Sequence, residues 1–190
     1  MVPSPWNVAP EYHDYEGVGW YETAFEVTRE GPVRLVFHGV CHDATVWIDG
    51  RRVADHYGGY TPIEVVESLA RGQHEVVVRA DSSRDERSIP KPGTDWFPYG
   101  GITREVVVEE VPATRVADLD VTYDLDGGGA DVTTAVAVAN EGAAREATVA
   151  VELDGERVAE TVTLPADGEM TVSLDHARAV ERWTLDDPTL

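Results

Sequence analysis

The residues from Thr94 to Arg104 carry most of the candidate chemistry of this chain. They read Thr-Asp-Trp-Phe-Pro-Tyr-Gly-Gly-Ile-Thr-Arg and combine the carboxylate of Asp95 with aromatic rings at Trp96, Phe97 and Tyr99. Aromatic rings cover the apolar faces of a pyranose, and a carboxylate accepts hydrogen bonds from its hydroxyl groups. The pattern therefore indicates either a sugar site or a packed corner in which the aromatic side chains belong to the core.

A second cluster, between His38 and His42, places two imidazoles and the thiol of Cys41 close together along the chain. A structural zinc site needs four ligands, and no other group of Cys and His supplies the rest. A strand end with a small buried thiol is the better interpretation. Phosphate-binding glycine loops and serine nucleophile elbows are also missing from the sequence. We expect no metal and no cofactor.

A third cluster, from His56 to Tyr60, reads His-Tyr-Gly-Gly-Tyr and forms a corner hinged on glycines. It either lines a site or ends a strand, and strand termination is favoured. Pairs of carboxylates could in principle cleave glycosidic bonds. With 36 Asp and Glu in the chain, however, such pairs are inevitable, so no particular pair indicates catalysis.

The charge balance limits the possible partners. The 190 residues hold 36 Asp and Glu against 15 Lys and Arg, a net charge of −21. This surface repels phosphate backbones and anionic lipid, so neither nucleic acid nor a membrane is expected as a partner. Lys91 is the single lysine, and an acidic, lysine-poor surface is typical of a protein from a halophile that accumulates salt.

The elements that would position these residues are strands. Apolar residues alternate with period two or form short β-branched runs bounded by Gly, Pro and Asp, which predicts an all-β chain. One short helical turn is predicted from Asp175 to Arg182, with Asp175 as its cap. Asp-Gly pairs at Asp49 and Asp154 predict two hairpins with type I′ turns. The predicted strands are Trp20–Val27, Val33–His38, Ala44–Ile48, Arg52–Tyr57, Gln73–Ala80, Ile102–Glu109, Val116–Asp124, Asp131–Ala139, Ala147–Leu153, Arg157–Leu164 and Met170–Leu174.

A domain boundary is predicted at Val111-Pro112-Ala113-Thr114, which separates residues 1–112 from residues 113–190. A proline ends a strand there, and every tryptophan except Trp183 precedes it. The single cysteine excludes an internal disulfide and fits a reducing compartment. Since no membrane-spanning or signal segment is visible either, a cytoplasmic location is expected, although a segment upstream of Met1 could be absent.

Six motifs occur in the order and approximate spacing found in family 2 glycoside hydrolases, the β-galactosidase, β-glucuronidase and β-mannosidase type enzymes. The resemblance covers about residues 2–110, and the remainder is similar to the domain that follows in that family. The motifs are Val2-Pro3-Ser4-Pro5-Trp6, Gly19-Trp20-Tyr21, Phe37-His38-Gly39-Val40, Val46-Trp47-Ile48-Asp49-Gly50, His56-Tyr57-Gly58-Gly59-Tyr60, and Asp95-Trp96-Phe97 with Gly100-Gly101-Ile102-Thr103-Arg104.

The resemblance implies a jelly-roll-like, galactose-binding-like sandwich followed by an immunoglobulin-like sandwich. It further implies a retaining glycosidase whose two catalytic glutamates sit on a TIM barrel C-terminal to these domains, so no residue of this chain is expected to be catalytic. Asp95 matches the acid that contacts sugar in the family, and Trp96, Phe97 and Tyr99 are its expected neighbours. The implied partners are a carbohydrate, bound weakly, and the barrel of the same enzyme.

Strands that complete the jelly roll and the second sandwich could be missing at both ends, and unpaired sheet edges would favour a homo-oligomer. Two alternatives to the family function remain open. One is a stand-alone carbohydrate-binding module, which needs exposed rings. The other is a scaffold or oligomerisation module with no ligand.

The halophilic composition predicts a salt requirement. High salt screens the self-repulsion that a net charge of −21 creates in dilute buffer, so the chain should lose structure on desalting. The measurement is the melting temperature in molar and in millimolar salt. An unchanged melting temperature would contradict the halophilic interpretation.

Overall fold

The chain is built almost entirely of antiparallel strands. The structure is a computed structural model that describes residues 2–97, 99–180 and 183–186, without the side chain of Asp126. Helical structure in these residues is limited to two 3-10 turns, Trp6–Val8 and Pro10–Tyr12. None of the described helices has the length and apolar character needed to cross a membrane. The chain divides into two compact units, Met1–Val111 and Pro112–Leu190.

The described residues of the first unit form nine strands in three sheets. Strands β1, β7, β4 and β5 form one sheet in that order, β6, β2 and β9 form the second, and β3 pairs with β8. The strands are β1 (Val18–Val27), β2 (Gly31–Phe37), β3 (Val40–Cys41), β4 (Asp43–Ile48), β5 (Arg51–Tyr57), β6 (Ile63–Leu69), β7 (Gly72–Asp81), β8 (Gly101–Ile102) and β9 (Val106–Glu110).

The core of the first unit lies between its two larger sheets. Alternation along β4 turns Val46 and Ile48 inward, and both are buried opposite partners on β7. Strand β2 is buried along most of its length, with Leu35 and Phe37 at 0% and 1% exposure. Central strands covered on both faces read as continuous apolar runs, which explains why this segment lacks a strict alternation.

In the part of the second unit that the structure describes, five strands form two sheets. Strands β10 (Thr114–Asp126), β11 (Gly129–Asn140) and β14 (Gly168–Ala179) form one sheet, and β12 (Arg145–Leu153) pairs with β13 (Glu156–Leu164). Its core is a smaller cluster of buried aliphatic side chains: Val136, Val138, Val149, Leu164, Val172 and Leu174.

The all-β prediction is confirmed, and each predicted strand corresponds to observed strand structure. The predicted strand Ile102–Glu109 is divided between β8 and β9, because residues 103–105 leave the ladder. Strand β6 was not predicted. Its sequence, Ile-Glu-Val-Val-Glu-Ser-Leu, has weak alternation, and its strand conformation comes from pairing with β2.

The predicted helical turn from Asp175 to Arg182 is wrong over the described residues. Residues 175–179 belong to β14 and pair with β11, while residues 181 and 182 lie outside the described part of the chain. The Asp175 carboxylate accepts a hydrogen bond from the Thr133 hydroxyl at 2.8 Å instead of capping a helix. The ladder to β11 satisfies the backbone, which outweighs the local helical preference of this segment.

Both Asp-Gly turns have the backbone conformation that the sequence predicts. Asp49 and Gly50 have φ angles of 51° and 75°, and Asp154 and Gly155 have φ angles of 49° and 79°. Positive φ at both central residues is the requirement of a type I′ hairpin.

The first of these turns is also fixed to the neighbouring strand by its carboxylate. Asp49 accepts hydrogen bonds from the Glu75 backbone N–H at 2.9 Å and from His74 Nδ1 at 2.6 Å, and the carbonyl oxygen of Ala70 lies 2.8 Å from His74 Nε2. Both ring nitrogens therefore face acceptors, which favours the doubly protonated imidazolium. The hydrogen bond to Asp49 raises the pKa of His74, and the same bond lowers the pKa of Asp49.

This pair predicts a pH-dependent contribution to stability. The contribution of His74 is fully present below its ordinary pKa of 6.5 and is lost as the pH rises through the higher pKa of the folded protein. The difference in unfolding free energy between the wild type and His74→Gln should therefore shrink as the pH rises from about 6.5 into the alkaline range. Denaturant titrations across this range provide the measurement.

The second hairpin offers the matched control. Asp154 makes no ion pair with a histidine among the described residues, so the effect of Asp154→Asn should stay constant over the same pH range. A His74→Gln effect that does not change with pH would contradict the assignment of a charged imidazole.

Candidate functional site

The candidate loop, residues 94–104, is held near its C-terminal end by the segment that precedes β1. Strand β8 pairs with β3, aligning Ile102 with Val40. On its other side, the Ser4 N–H donates to the Ile102 carbonyl at 2.9 Å, and the Trp6 N–H donates to the Gly100 carbonyl at 3.1 Å. The end of the loop therefore lies between β3 and an N-terminal segment that contributes to none of the larger sheets.

The indole of Trp6 packs directly against glycine backbone. A Cβ placed on Gly19 would lie 2.4 Å from Trp6 Cζ3, and one placed on Gly100 would lie 2.3 Å from Trp6 Cζ2. Gly101 adds a φ of 105°, and a Cβ there would lie 2.3 Å from the Tyr21 hydroxyl oxygen. Gly19 and Gly100 require glycine because the indole occupies the space of a side chain, and Gly101 requires it because of its positive φ and the Tyr21 hydroxyl.

Asn7 connects the N-terminal segment to the loop. Its side chain is buried, and its Oδ1 accepts the Gly100 N–H at 2.8 Å. Its Nδ2 lies 3.1 Å, 3.0 Å and 3.1 Å from the carbonyl oxygens of Tyr12, His13 and Tyr15. One carboxamide thus closes the turn before β1 and fixes the backbone at the end of the loop, since both halves of the amide are used.

Two polar contacts hold the longer segment that leads from β7 into the loop. The Arg84 guanidinium bonds the Glu16 carboxylate at 2.8 Å. The Tyr57 hydroxyl donates to Asp85 at 3.0 Å, and the Arg87 guanidinium lies 4.6 Å from the centre of the Tyr57 ring. Hydrogen bonds from Arg87 lower the pKa of Asp85 to about 2.

Tyr57 is the last residue of β5, so the His56–Tyr60 corner both ends a strand and supports this segment through the Tyr57 hydroxyl.

The four predicted sugar-binding residues fall into two pairs. The Phe97 and Tyr99 rings pack together, whereas Asp95 and Trp96 are exposed and lack such packing in the part of the chain that the structure describes. The Phe97 ring packs between His13 and Tyr99, with ring centres 5.1 Å and 4.8 Å away. Trp96 is 65% exposed, and Asp95 is exposed as well. Among the described residues, Asp95 makes no hydrogen bond and no ion pair. Its carboxylate is therefore available to a ligand, whereas Phe97 is part of a packed aromatic cluster.

The cluster around Cys41 is packed closely. The Cys41 thiol is buried beside the Gly59 carbonyl, at 3.7 Å, and burial raises its pKa. Burial lowers the pKa of the neighbouring His42, with the charge of Arg84 acting in the same direction. No group of three or more metal-ligating side chains converges within the described ranges.

Trp6, Asn7, Glu16 and Arg84 are the site-forming residues that sequence reasoning did not assign. Trp6 belongs to one of the six motifs, but its role at the loop depends on packing against Gly100, which is distant in the sequence. The sequence signal for Trp6 and Asn7 is an aromatic ring and an amide that follow Pro3 and Pro5, in a segment without strand alternation.

A family model described as "Glycosyl hydrolases family 2, sugar binding domain" matches residues 2–112. The chain belongs to this family. The resemblance that the six motifs indicated is therefore confirmed, and it places the candidate loop near the C-terminal end of the matched domain.

Individual relatives agree with this membership. The chain is 30% identical over 132 residues to a putative beta-glucuronidase of Formosa agariphila, covering 64% of this chain and 16% of that protein. It is 32% identical over 138 residues to a beta-galactosidase of Thermoanaerobacter pseudethanolicus, covering 67% of this chain and 18% of that protein. The chain thus spans less than a fifth of the length of these curated relatives.

A solved structure extends the likeness to both units. A family 2 beta-galacturonidase from Eisenbergiella tayi, crystallised with galacturonate, matches with a TM-score of 0.79 and 30% identity. The match covers 99% of this chain and 34% of that one. Family 2 membership therefore accounts for the β-sandwich architecture. The assignment of Asp95, Trp96, Phe97 and Tyr99 to a sugar site stays a prediction.

The dependence of the loop on Asn7 is open to test. Asn7→Ala leaves the Gly100 N–H and the carbonyls of the preceding turn without buried partners, so the unfolding free energy should fall by about 2 to 4 kcal/mol. Chemical denaturation measures the loss, and hydrogen exchange at the Gly100 amide should accelerate.

Asn140 provides a matched control in the second unit. Its Nδ2 likewise donates to backbone carbonyls, those of Ala143 at 3.1 Å and Pro165 at 2.7 Å. Asn140→Ala should also destabilise the protein but leave exchange at Gly100 unchanged under native conditions. Equal acceleration at Gly100 in both variants would show that Asn7 has no specific role at the loop.

Proposed function

We propose that this chain is the non-catalytic, sugar-binding part of a family 2 glycoside hydrolase, and that Asp95 contributes one edge of its sugar pocket. The rest of that pocket belongs to a catalytic TIM barrel outside these 190 residues. The observation that carries the proposal is the Asp95 carboxylate itself, which is exposed and unpartnered among the described residues on a loop whose base is fixed.

The chemistry of a carboxylate suits this role. An ionised carboxylate accepts two charge-assisted hydrogen bonds from adjacent sugar hydroxyls, and this fixes the orientation of the ring. Trp96 and Tyr99 are exposed on the same loop and could offer apolar surface to a sugar. One edge of a pocket cannot bury most of a sugar, so binding through Asp95 alone should be weak.

The whole enzyme would hydrolyse O-glycosidic bonds of β-galactosides, β-glucuronides or β-mannosides with retention. In that mechanism one carboxylate attacks the sugar and a second acts first as acid and then as base. Both catalytic groups would lie on the barrel, and this chain would orient the substrate. The names of the relatives, putative beta-glucuronidase and beta-galactosidase, support the glucuronide and galactoside members of this range.

The second unit would be the immunoglobulin-like sandwich that connects the sugar-binding domain to the barrel. Its two sheets around one aliphatic core support this proposal. The acidic, lysine-poor composition supports a halophilic source for the enzyme. A stand-alone carbohydrate-binding module is the second candidate, and the exposure of Trp96 and Tyr99 in this chain favours it.

The proposal predicts a selective loss of turnover. In the enzyme that includes the barrel, Asp95→Asn should lower kcat/KM by about 10- to 100-fold, because it replaces a charge-assisted acceptor with a neutral amide. Stability should change little because Asp95 is exposed. Steady-state kinetics and thermal unfolding of the same preparations measure both quantities.

Glu86 offers the matched control. It is an exposed acid in the same long segment between β7 and β8, and Glu86→Gln should leave kcat/KM unchanged. A loss of stability as large as the loss of turnover in Asp95→Asn would refute a ligand role for Asp95.

A further inference from the structure

An aromatic cleft lies beside the candidate loop in the first unit. It has a volume of about 460 Å³ and includes none of the four residues predicted to bind sugar at the loop. This volume is in the range of pockets for small ligands. Its lining consists of Trp6, Tyr12, Tyr15, Trp20 and Tyr21 together with Val18 and Gly19.

The walls of the cleft are held rigidly. The Tyr15 hydroxyl donates to the Val18 carbonyl at 2.9 Å, and the Trp6 indole N–H donates to the Tyr15 carbonyl at 3.3 Å. The Tyr15 ring also makes edge contacts with Trp6 and Tyr12, at 5.8 Å and 6.3 Å between ring centres. The cleft is therefore formed in advance, and a ligand would not have to order these rings.

The cleft continues onto the outer face of the four-stranded sheet through Trp20. Trp20 is 62% exposed, and its ring centre lies 5.6 Å from that of the half-buried Trp47, with 31° between the ring planes. Trp20 is on β1 and Trp47 is on β4, so the two indoles meet across β7. We call the cleft and this indole pair the Trp20 surface.

Charged groups border the two indoles. In the register of the sheet, Arg79 lies opposite Trp20, while Val77 lies between Glu22 and Trp47. Arg52 is opposite Trp47 on β5. The surface thus alternates aromatic rings with carboxylate and guanidinium groups, and its rim is not aliphatic. A hydrophobic protein partner or a lipid would leave these charges desolvated.

We propose that the Trp20 surface binds a neutral oligosaccharide, at a position separate from the loop that carries Asp95. Rigid exposed rings present flat apolar faces to the C–H faces of pyranoses, and the bordering charged groups supply donors and acceptors for hydroxyls. A net charge of −21 disfavours polyanionic chains, so neutral saccharides are the class that fits. An exposed aromatic patch of this kind marks an interaction site.

The test is a titration of the 190-residue chain, in high salt, with β-1,4-galactotetraose as the neutral probe and trigalacturonate as the acidic one. Calorimetry should show saturable binding of the neutral probe in the millimolar range or tighter. Trp20→Ala should weaken it by at least about tenfold, because an exposed aromatic anchor is lost without disturbing the core. Trp47→Ala should weaken it as well.

Two variants serve as controls. Trp183 is 56% exposed in the second unit, and Trp183→Ala should leave the affinity unchanged. Glu86→Gln should also leave it unchanged, because Glu86 does not line the cleft. Saccharide binding by this chain and turnover by the whole enzyme are separate measurements, so the two proposals can fail independently. Circular dichroism of Trp20→Ala confirms that the variant is folded.

Several results would overturn the proposal. They are the absence of neutral-probe binding at about 10 mM, a Trp20→Ala affinity equal to that of the wild type, and tighter binding of the acidic probe. Self-association that depends on Trp20, measured by sedimentation in place of saccharide binding, would assign the surface to a second copy of the chain and would overturn the proposal too.

Discussion

The hydrogen bonds of the Asn7 carboxamide are the constraint on which the loop end depends. The segment before β1 belongs to neither larger sheet, and two backbone hydrogen bonds, to Ile102 and Gly100, tie it to the loop end. Asn7 uses its acceptor on Gly100 and its donors on the turn that leads into β1. If either the Gly100 contact or the contacts with the turn were lost, the buried amide would keep an unsatisfied polar atom at a cost in free energy. The positions of the loop end and of the turn therefore depend on each other.

The Trp6 indole further restricts the conformation of the loop end, because it packs directly against the backbone. Because the ring fills the space above Gly19 and Gly100, the loop end cannot approach more closely or rotate without a steric clash. The same ring contributes its outer side to the aromatic cleft. One side chain thus sets both the base of the Asp95 loop and one wall of the Trp20 surface.

Sequence patterning predicted the strands because period-two alternation is a local property. The Asp-Gly turns were predictable for the same reason, since positive φ is a requirement of two adjacent residues. The segment from Asp175 failed because its local preference is overridden by the ladder to β11. Asn7 and Gly100 are 93 positions apart, and no local pattern encodes a contact over that distance.

The candidate site was predictable in part. Aromatic residues next to an acid predicted sugar chemistry, but the same residue types also fit a packed corner, and the structure shows packed and exposed rings side by side in the sequence. Phe97 is packed on His13, whereas Trp96 is exposed. Whether a ring of the loop is packed or exposed depends on where the segment before β1 lies. The contacts of Trp6 and Asn7 determine that position, and the loop sequence does not encode it.

Exposure alone does not distinguish Asp95 in a chain with 36 acidic residues. Most exposed carboxylates of such a protein serve solubility and hydration, and their side chains are free to sample many rotamers. In the proposed site Asp95 would differ because the loop that carries it is held at Gly100 by Asn7 and Trp6, so less backbone entropy would be lost when a ligand binds. A carboxylate suits a binding site when the backbone that carries it is ordered before the ligand arrives, and the contacts of Trp6 and Asn7 with Gly100 order the C-terminal end of this loop.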